Sequence, residues 1–187
     1  TFLISLFTRK APSLHEGDEH NAVSEQEIAF LIDYSDQKGI IEPHKSEMLQ
    51  NIFSLGHKTV NSIMIPTSKM VMLEVSTSIE KAHELFLSYN YTRIPLYEKS
   101  PSNVIGFIYQ KDLFALLFKQ TTGALADFMR PVLYVGHSKK TNELLKEFLR
   151  KRRHLAIVTN DRNGAIGMVT LEDVLEEIVG DITDDLF

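Results

Sequence analysis

One theme occurs twice in this chain. Residues 106–117 read Gly106-Phe107-Ile108-Tyr109-Gln110-Lys111-Asp112 and continue apolar; about sixty residues later the chain reads Gly167-Met168-Val169-Thr170-Leu171-Glu172-Asp173 and again continues apolar. Each copy is a glycine, a short apolar strand, and an aspartate opening an apolar helix. An internal repeat constrains the architecture before any single motif does, because each copy needs a neighbour to cover its apolar face.

The elements around each copy follow one order. The first unit holds Met64-Ile65-Pro66, a strand over 71–75, a helix over 78–90, strands over 93–97 and 104–109, and a helix over 111–118. The second holds Met129-Arg130-Pro131, a strand over 132–135, a helix over 139–151, strands over 155–159 and 165–169, and a helix over 171–179. Asn163-Gly164 between two apolar runs is a hairpin signal. The pattern is therefore β-α-β-β-α, twice. Units of about sixty residues are marginal alone, and stacking them buries both apolar faces.

Two amphipathic helices are expected ahead of the repeats. Ser24-Glu25-Gln26-Glu27 has capping-box spacing and precedes Ile28, Leu31 and Ile32; Lys38-Gly39 ends that helix. Pro43 opens the second, with Met48, Leu49, Ile52 and Phe53 as its stripe and Gly56 as its stop. Residues 1–23 read as a linker. Thr1 to Phe7 are apolar and precede Arg9 and Lys10, a pattern that suits either the cytoplasmic end of a membrane helix or a short stub. The divisions are 1–23 (juxtamembrane linker), 24–59 (acidic helical segment), 60–120 (first repeat) and 121–187 (second repeat with an acidic tail).

Composition narrows the function. A net charge of −5 gives no bulk attraction to nucleic acid. With no cysteine, disulfides, thiolate metal sites and a cysteine nucleophile are excluded. There is no P-loop, G-x-G-x-x-G turn, H-E-x-x-H helix or G-x-S-x-G elbow, and the histidines do not fall at ligand spacings, so an enzyme is not expected. No metal site is assigned. Asp181, Asp184 and Asp185 in the tail are the only acidic group weighed for magnesium, against a solvated terminus.

The repeat order, with Gly-apolar-apolar-Thr-x-x-Asp at a strand–helix junction, resembles a CBS-domain pair of α/β (α+β) class. Val60-Asn61-Ser62-Ile63-Met64-Ile65-Pro66, Tyr91-Thr92-Arg93-Ile94-Pro95-Leu96-Tyr97-Glu98 and the run from Val169 to Gly180 resemble the CorC/HlyC and cyclin M-type membrane proteins, which are linked to magnesium and cobalt transport. Gly39-Ile40-Ile41-Glu42 and its flanking helices resemble the acidic helical segment of that family. The resemblance covers residues 24–186. It implies a regulatory module on the cytoplasmic side of the inner membrane, joined to its own transmembrane domain and forming a homodimer.

Thr170-x-x-Asp173 carries two compatible readings. It is a helix capping box, and it is also a place where a hydroxyl, a carboxylate and free helix N–H groups can meet a nucleotide. By the resemblance, Tyr91, Thr92, Arg93, Ile94 and Pro95 line an adenine base, Ile65 joins the nucleotide site through its backbone alone or at the cost of a hydroxyl that would add affinity, and Thr170 and Asp173 hold ribose and phosphates. The implied ligand is ATP, ADP or AMP, with Mg2+ as the counterion of the phosphates. Ile65 stands where the family usually has Thr. In the first repeat Tyr109 replaces Thr170, so only one cleft is expected to be competent. Arg150 to His154 form a basic run that reads as a solvated helix end or as an anion contact. Leu113, Leu116, Leu117, Leu175 and Ile178 are expected as exposed dimer contacts. The alternative function is a structural dimerisation module that binds no nucleotide.

Overall fold

The computed structural model describes residues 24–119 and 123–180, except for the side chains of residues 116–119. The linker over 1–23 and the tail aspartates Asp181, Asp184 and Asp185 lie outside the described residues, as do the side chains of Leu116 and Leu117.

Helix α1 spans Glu25–Gln37 and α2 spans Pro43–Leu55. Ser24 caps α1 through a full capping box with Glu27, and Gly39 leaves it with φ +68°. Pro43 occupies the first turn of α2, where its missing N–H costs nothing. Gly56 ends α2 in right-handed geometry (φ −66°).

A short helix α3 (Val60–Ile63) and strand β1 (Ile65–Pro66) lead into the first repeat. That repeat continues with β2 (Leu73–Glu74), α4 (Ile79–Tyr89), β3 (Arg93–Tyr97), β4 (Val104–Tyr109) and α5 (Gln110–Lys119). The second holds β5 (Leu133–Gly136), α6 (Thr141–Lys151), β6 (Leu155–Thr159), β7 (Ala165–Thr170) and α7 (Leu171–Val179). The expected strand over 71–75 is shorter, only Leu73 and Glu74 pairing with β3.

The repeats correspond element by element. Asn90 after α4 and Arg152 after α6 both take left-handed geometry, φ 53° and 51°. Phe86 and Phe148, one turn earlier, are both buried. Gln110 N–H donates to the Thr92 carbonyl at 3.0 Å, and Leu171 N–H donates to the His154 carbonyl at 3.1 Å. Tyr109 pairs with Arg93 across β3–β4 as Thr170 pairs with Leu155 across β6–β7.

The repeats also exchange their leading segments. β1 of the first repeat joins the second sheet, Ile65 facing Met168 and Pro66 facing Gly167, in the order β1-β7-β6-β5. In return Arg130, which leads the second repeat, bridges to Phe107 of β4. Glycine permits both approaches. A Cβ on Gly167 would lie 2.6 Å from the Ile65 carbonyl oxygen, and one on Gly106 would lie 2.5 Å from Met129 Cγ and 2.7 Å from the Arg130 oxygen. Each Met-x-Pro segment thus belongs spatially to the other repeat, whereas its position in sequence placed it with its own.

Three apolar clusters result. Leu55 of α2 and Val60 join the second repeat's core with Leu144, Phe148, Val169 and Val174. Leu113 belongs to the first repeat's core with Phe86, Ile94 and Ile108, and is fully buried. It is therefore not a dimer contact, because it lies on the face of α5 turned to the sheet. Ile178 is only partly buried, against the second core, and Leu175 remains 44% exposed. Val104, Ile157 and Ala165 seal the junction of the two sheets.

Candidate functional site

β1, the start of β3 and the N-terminus of α7 converge on one cleft of about 360 Å³. The first repeat contributes Ile65, Asn90, Tyr91, Thr92 and Arg93; the second contributes Thr170 and Asp173. The strand exchange makes this possible, since it carries Ile65 onto the edge beside Met168, another lining residue.

At the second repeat's side the capping box is complete. Asp173 N–H donates to Thr170 Oγ1 at 3.1 Å, and Thr170 N–H donates to Asp173 Oδ2 at 2.7 Å. The box uses the hydroxyl only as an acceptor and one carboxylate oxygen, so the hydroxyl proton and Asp173 Oδ1 stay outside it. Leu171 N–H is taken by the His154 carbonyl. Glu172 N–H, the remaining amide of the first turn, stands at the positive end of the helix and suits an anion. The capping and binding readings of Thr170 therefore use different atoms of the same pair.

On the opposite wall Tyr91 is 45% exposed and stacks on Tyr89, with centroids 5.6 Å apart and planes 11° from parallel. A braced aromatic face at a cleft rim suits a flat heterocycle. Arg93 is half-buried and adds a fixed cation.

Six of the eight residues singled out from sequence meet here: Ile65, Tyr91, Thr92, Arg93, Thr170 and Asp173. Ile94 and Pro95 do not line the cleft. Strand alternation turns Ile94 into the first repeat's core, and Pro95 is buried opposite Phe107. Sequence reasoning missed Lys69, Asn90 and Glu172, which also line it, and named His154, another lining residue, only as the end of the basic run. His154 was legible, since it occupies in the second repeat the place of Thr92 in the first. Lys69 sits in a 3-10 turn after β1 and carried no signal. His154 Nδ1 lies 3.7 Å from Glu172 Oε1, so the lining holds Lys69, Arg93 and His154 against Glu172 and Asp173.

The first repeat's own junction differs. Tyr109 stands in the place of Thr170, and Arg130 Nε and Nη2 both reach Asp112 Oδ2, at 2.9 and 2.8 Å. A larger hollow of about 480 Å³ opens beside Asp112 and Arg130, but Asp127 and Phe128 line it rather than the Thr-x-x-Asp turn.

Among the described residues no cluster of three His, Asp or Glu is placed to hold a metal ion. No helix there is long and apolar enough to cross a membrane.

The α7 helix links this cleft to α2. Asn51 Nδ2 donates to the Ile178 carbonyl at 3.2 Å, and Lys58 Nζ pairs with Glu177 near the opposite end of α7 from Thr170.

Comparison with known proteins identifies the fold. The CBS domain profile matches residues 60–119 and 125–180. The magnesium and cobalt efflux protein CorC of Buchnera aphidicola (subsp. Acyrthosiphon pisum) is 32% identical over 162 residues, 86% of this chain and 55% of that protein. The solved CBS domain of the bacterial CNNM/CorC family Mg2+ transporter is 34% identical, with a TM-score of 0.78 over 87% of this chain and all of that one. The same domain in complex with ATP is 35% identical, with a TM-score of 0.71 over 75% of this chain and all of that one. The chain spans well under two thirds of the length of the curated relatives it matches. Two CBS repeats, the exchanged strands and the Thr170–Asp173 turn together make this chain a member of the CBS-domain family, as a CBS pair of the CorC/CNNM type.

Proposed function

We propose that this chain is the regulatory, adenine-nucleotide-sensing module of a membrane protein that moves magnesium or cobalt ions, held on the cytoplasmic side of the membrane. The observation that carries this reading is one cleft between the repeats, with Tyr91, Thr92 and Arg93 on one wall and Thr170 and Asp173 on the other. A stacking face for a base, a carboxylate for ribose hydroxyls and a helix N-terminus for phosphate lie in the order a nucleotide needs. The similar domain solved with ATP and the efflux protein's name support it. Magnesium enters as the counterion of adjacent phosphates.

Binding regulates a membrane domain only by favouring one of two arrangements. A ligand in the cleft joins both repeats and loads the N-terminus of α7, whose other end is held by α2. Helices α1 and α2 are thus the lever toward the preceding domain. The working unit is a homodimer through the CBS pair, to which exposed Phe114 and Leu175 contribute.

Calorimetry with ATP, ADP and AMP, with and without magnesium, tests the reading. Saturable binding of at least one nucleotide is expected, with ATP strengthened several-fold by magnesium and AMP little changed. Absence of binding by all three would refute nucleotide sensing and leave the structural dimerisation module.

A further inference from the structure

Arg93 belongs to a second feature besides the cleft. Its Cζ lies 5.1 Å from the centre of the Tyr109 ring, its direct partner across β3–β4. Lys111 Nζ lies 5.0 Å from the same centre and Arg130 Cζ 5.3 Å. Three cations that share one ring lie within about 10 Å of each other, inside the range where salt does not fully screen them. Their only carboxylate partner among the described residues is Asp112, which Arg130 engages through a single oxygen. Neither Arg93 nor Lys111 forms an ion pair there, and a tyrosine face offsets little of their mutual repulsion.

This charge is not inherited from the repeat plan. At the matching places of the second repeat stand Leu155 for Arg93, Glu172 for Lys111 and Ile65 for Arg130. The first repeat thus gathers three cations where the second has two apolar residues and an acid. The Arg130 side chain is 50% exposed, so the cluster is open to a ligand.

We propose that the Arg93–Lys111–Arg130 cluster on Tyr109 binds phosphoryl groups, and that it receives the terminal phosphates of a nucleoside polyphosphate seated in the cleft. The guanidinium fork matches phosphate oxygens, and an anion there relieves the repulsion among the cations. Arg93 lines the cleft and faces the cluster, so it joins the two. A monophosphate held at the N-terminus of α7 stops short of the cluster, whereas a longer phosphate chain runs past Arg93 to Lys111 and Arg130. The cluster therefore discriminates ATP from AMP. The assignment of the terminal phosphates rests on the nucleotide reading of the cleft; the phosphoryl chemistry of the cluster does not.

The test is calorimetry on the whole chain with AMP, ATP and inorganic tripolyphosphate, in magnesium, for wild type, Lys111→Met and Arg130→Gln. AMP affinity should stay within about twofold, since both side chains lie beyond the cleft lining. ATP affinity should fall roughly tenfold in Arg130→Gln, the loss of one charge-assisted contact, and several-fold in Lys111→Met. Parallel losses of ATP and AMP, or an unchanged ATP-to-AMP ratio in both variants, would overturn the proposal. Lys111 is exposed, so Lys111→Met decides the matter if Arg130→Gln folds poorly by circular dichroism. Tripolyphosphate separates the sources. Lys111-dependent binding of it to Thr170→Ile supports the phosphoryl site with free phosphates as occupant. If AMP and ATP both fail to bind wild type, the cleft reading fails, and tripolyphosphate alone then upholds or sinks the cluster.

Discussion

At the strand–helix junction of the second repeat stand Thr170 and Asp173, locked in a reciprocal capping box. At the same junction of the first stand Tyr109 and Asp112, and Asp112 is turned to Arg130 instead. The backbone plan is common to both: the same left-handed residue after the first helix, the same amide-to-carbonyl bond closing the strand edge. The side chains set on that plan differ. A duplicated fold thus keeps two equivalent places for a ligand and spends them differently, one on a helix terminus open to an anion, the other on cations gathered over a ring.

The largest effects should come from what the repeats share. Gly106→Val and Gly167→Val each force a side chain into the partner repeat's leading segment, within 2.5–2.7 Å of existing atoms. Each should cost about 3 kcal/mol or more in denaturant unfolding, since overpacking against backbone relaxes poorly. Each added side chain meets one backbone oxygen, Arg130 at 2.7 Å or Ile65 at 2.6 Å, and one flexible methionine, Met129 or Met64, so the two costs should be alike. A much smaller cost at one of the two would show that its leading segment can move aside.

The next effect separates the repeats. Thr170→Ile removes the cap, at about 1 kcal/mol, and should abolish any rise in melting temperature caused by nucleotide. Tyr109→Thr should leave the rise caused by AMP intact and create no second binding event, because Arg130 still occupies Asp112. Equal nucleotide-induced shifts in wild type and Thr170→Ile would remove Thr170 from the site. Two binding events in Tyr109→Thr would show that the ring alone closes the first junction.

The smallest effect is acid-dependent and confined to the second repeat. Hydrogen bonds from Lys139 and Lys151 lower the Glu147 carboxyl to about 2. Its place in the first repeat is taken by Leu85, which has no such pair. A depressed carboxyl stabilises the fold fully above its unfolded value near 4.5, and that stability is lost as pH falls toward 2. Both lysines are partly exposed, so after screening the contribution is about 1 kcal/mol. Glu147→Gln should flatten the loss of stability between pH 4.5 and 2, followed by thermal melts. An unchanged slope would mean that other carboxylates carry the acid response.

The element order, the α1 capping box and the Thr170–Asp173 turn were legible because each is a local pattern of period, cap or turn. So was the meeting of Tyr91 with Thr170, though only through the family resemblance. The strand exchange was not legible. β1 is two residues long, and nothing in Ile65-Pro66 says which sheet it joins; the glycines that admit it sit elsewhere in the chain. Ile94 and Pro95 were misplaced because a motif names neighbours in sequence while a pleated strand sends them to opposite faces. Leu113 was read as exposed because α5 is apolar on more than one side, and periodicity alone does not say which side meets the sheet.

The exchange of leading segments has a consequence in time. Ile65 waits for Met168, a partner about a hundred residues downstream, and meanwhile its backbone edge has nothing to pair with. A chain made from its N-terminus at about 5–20 residues per second passes several seconds with that edge open. The first repeat can collapse during this interval, but the wall that holds Thr170 is built last. The cleft therefore exists only once the second repeat has been made, and a chain truncated before β7 lacks both the edge for Ile65 and the turn for a ligand. Whatever binds between the repeats reports on a completed pair of repeats, never on the first alone.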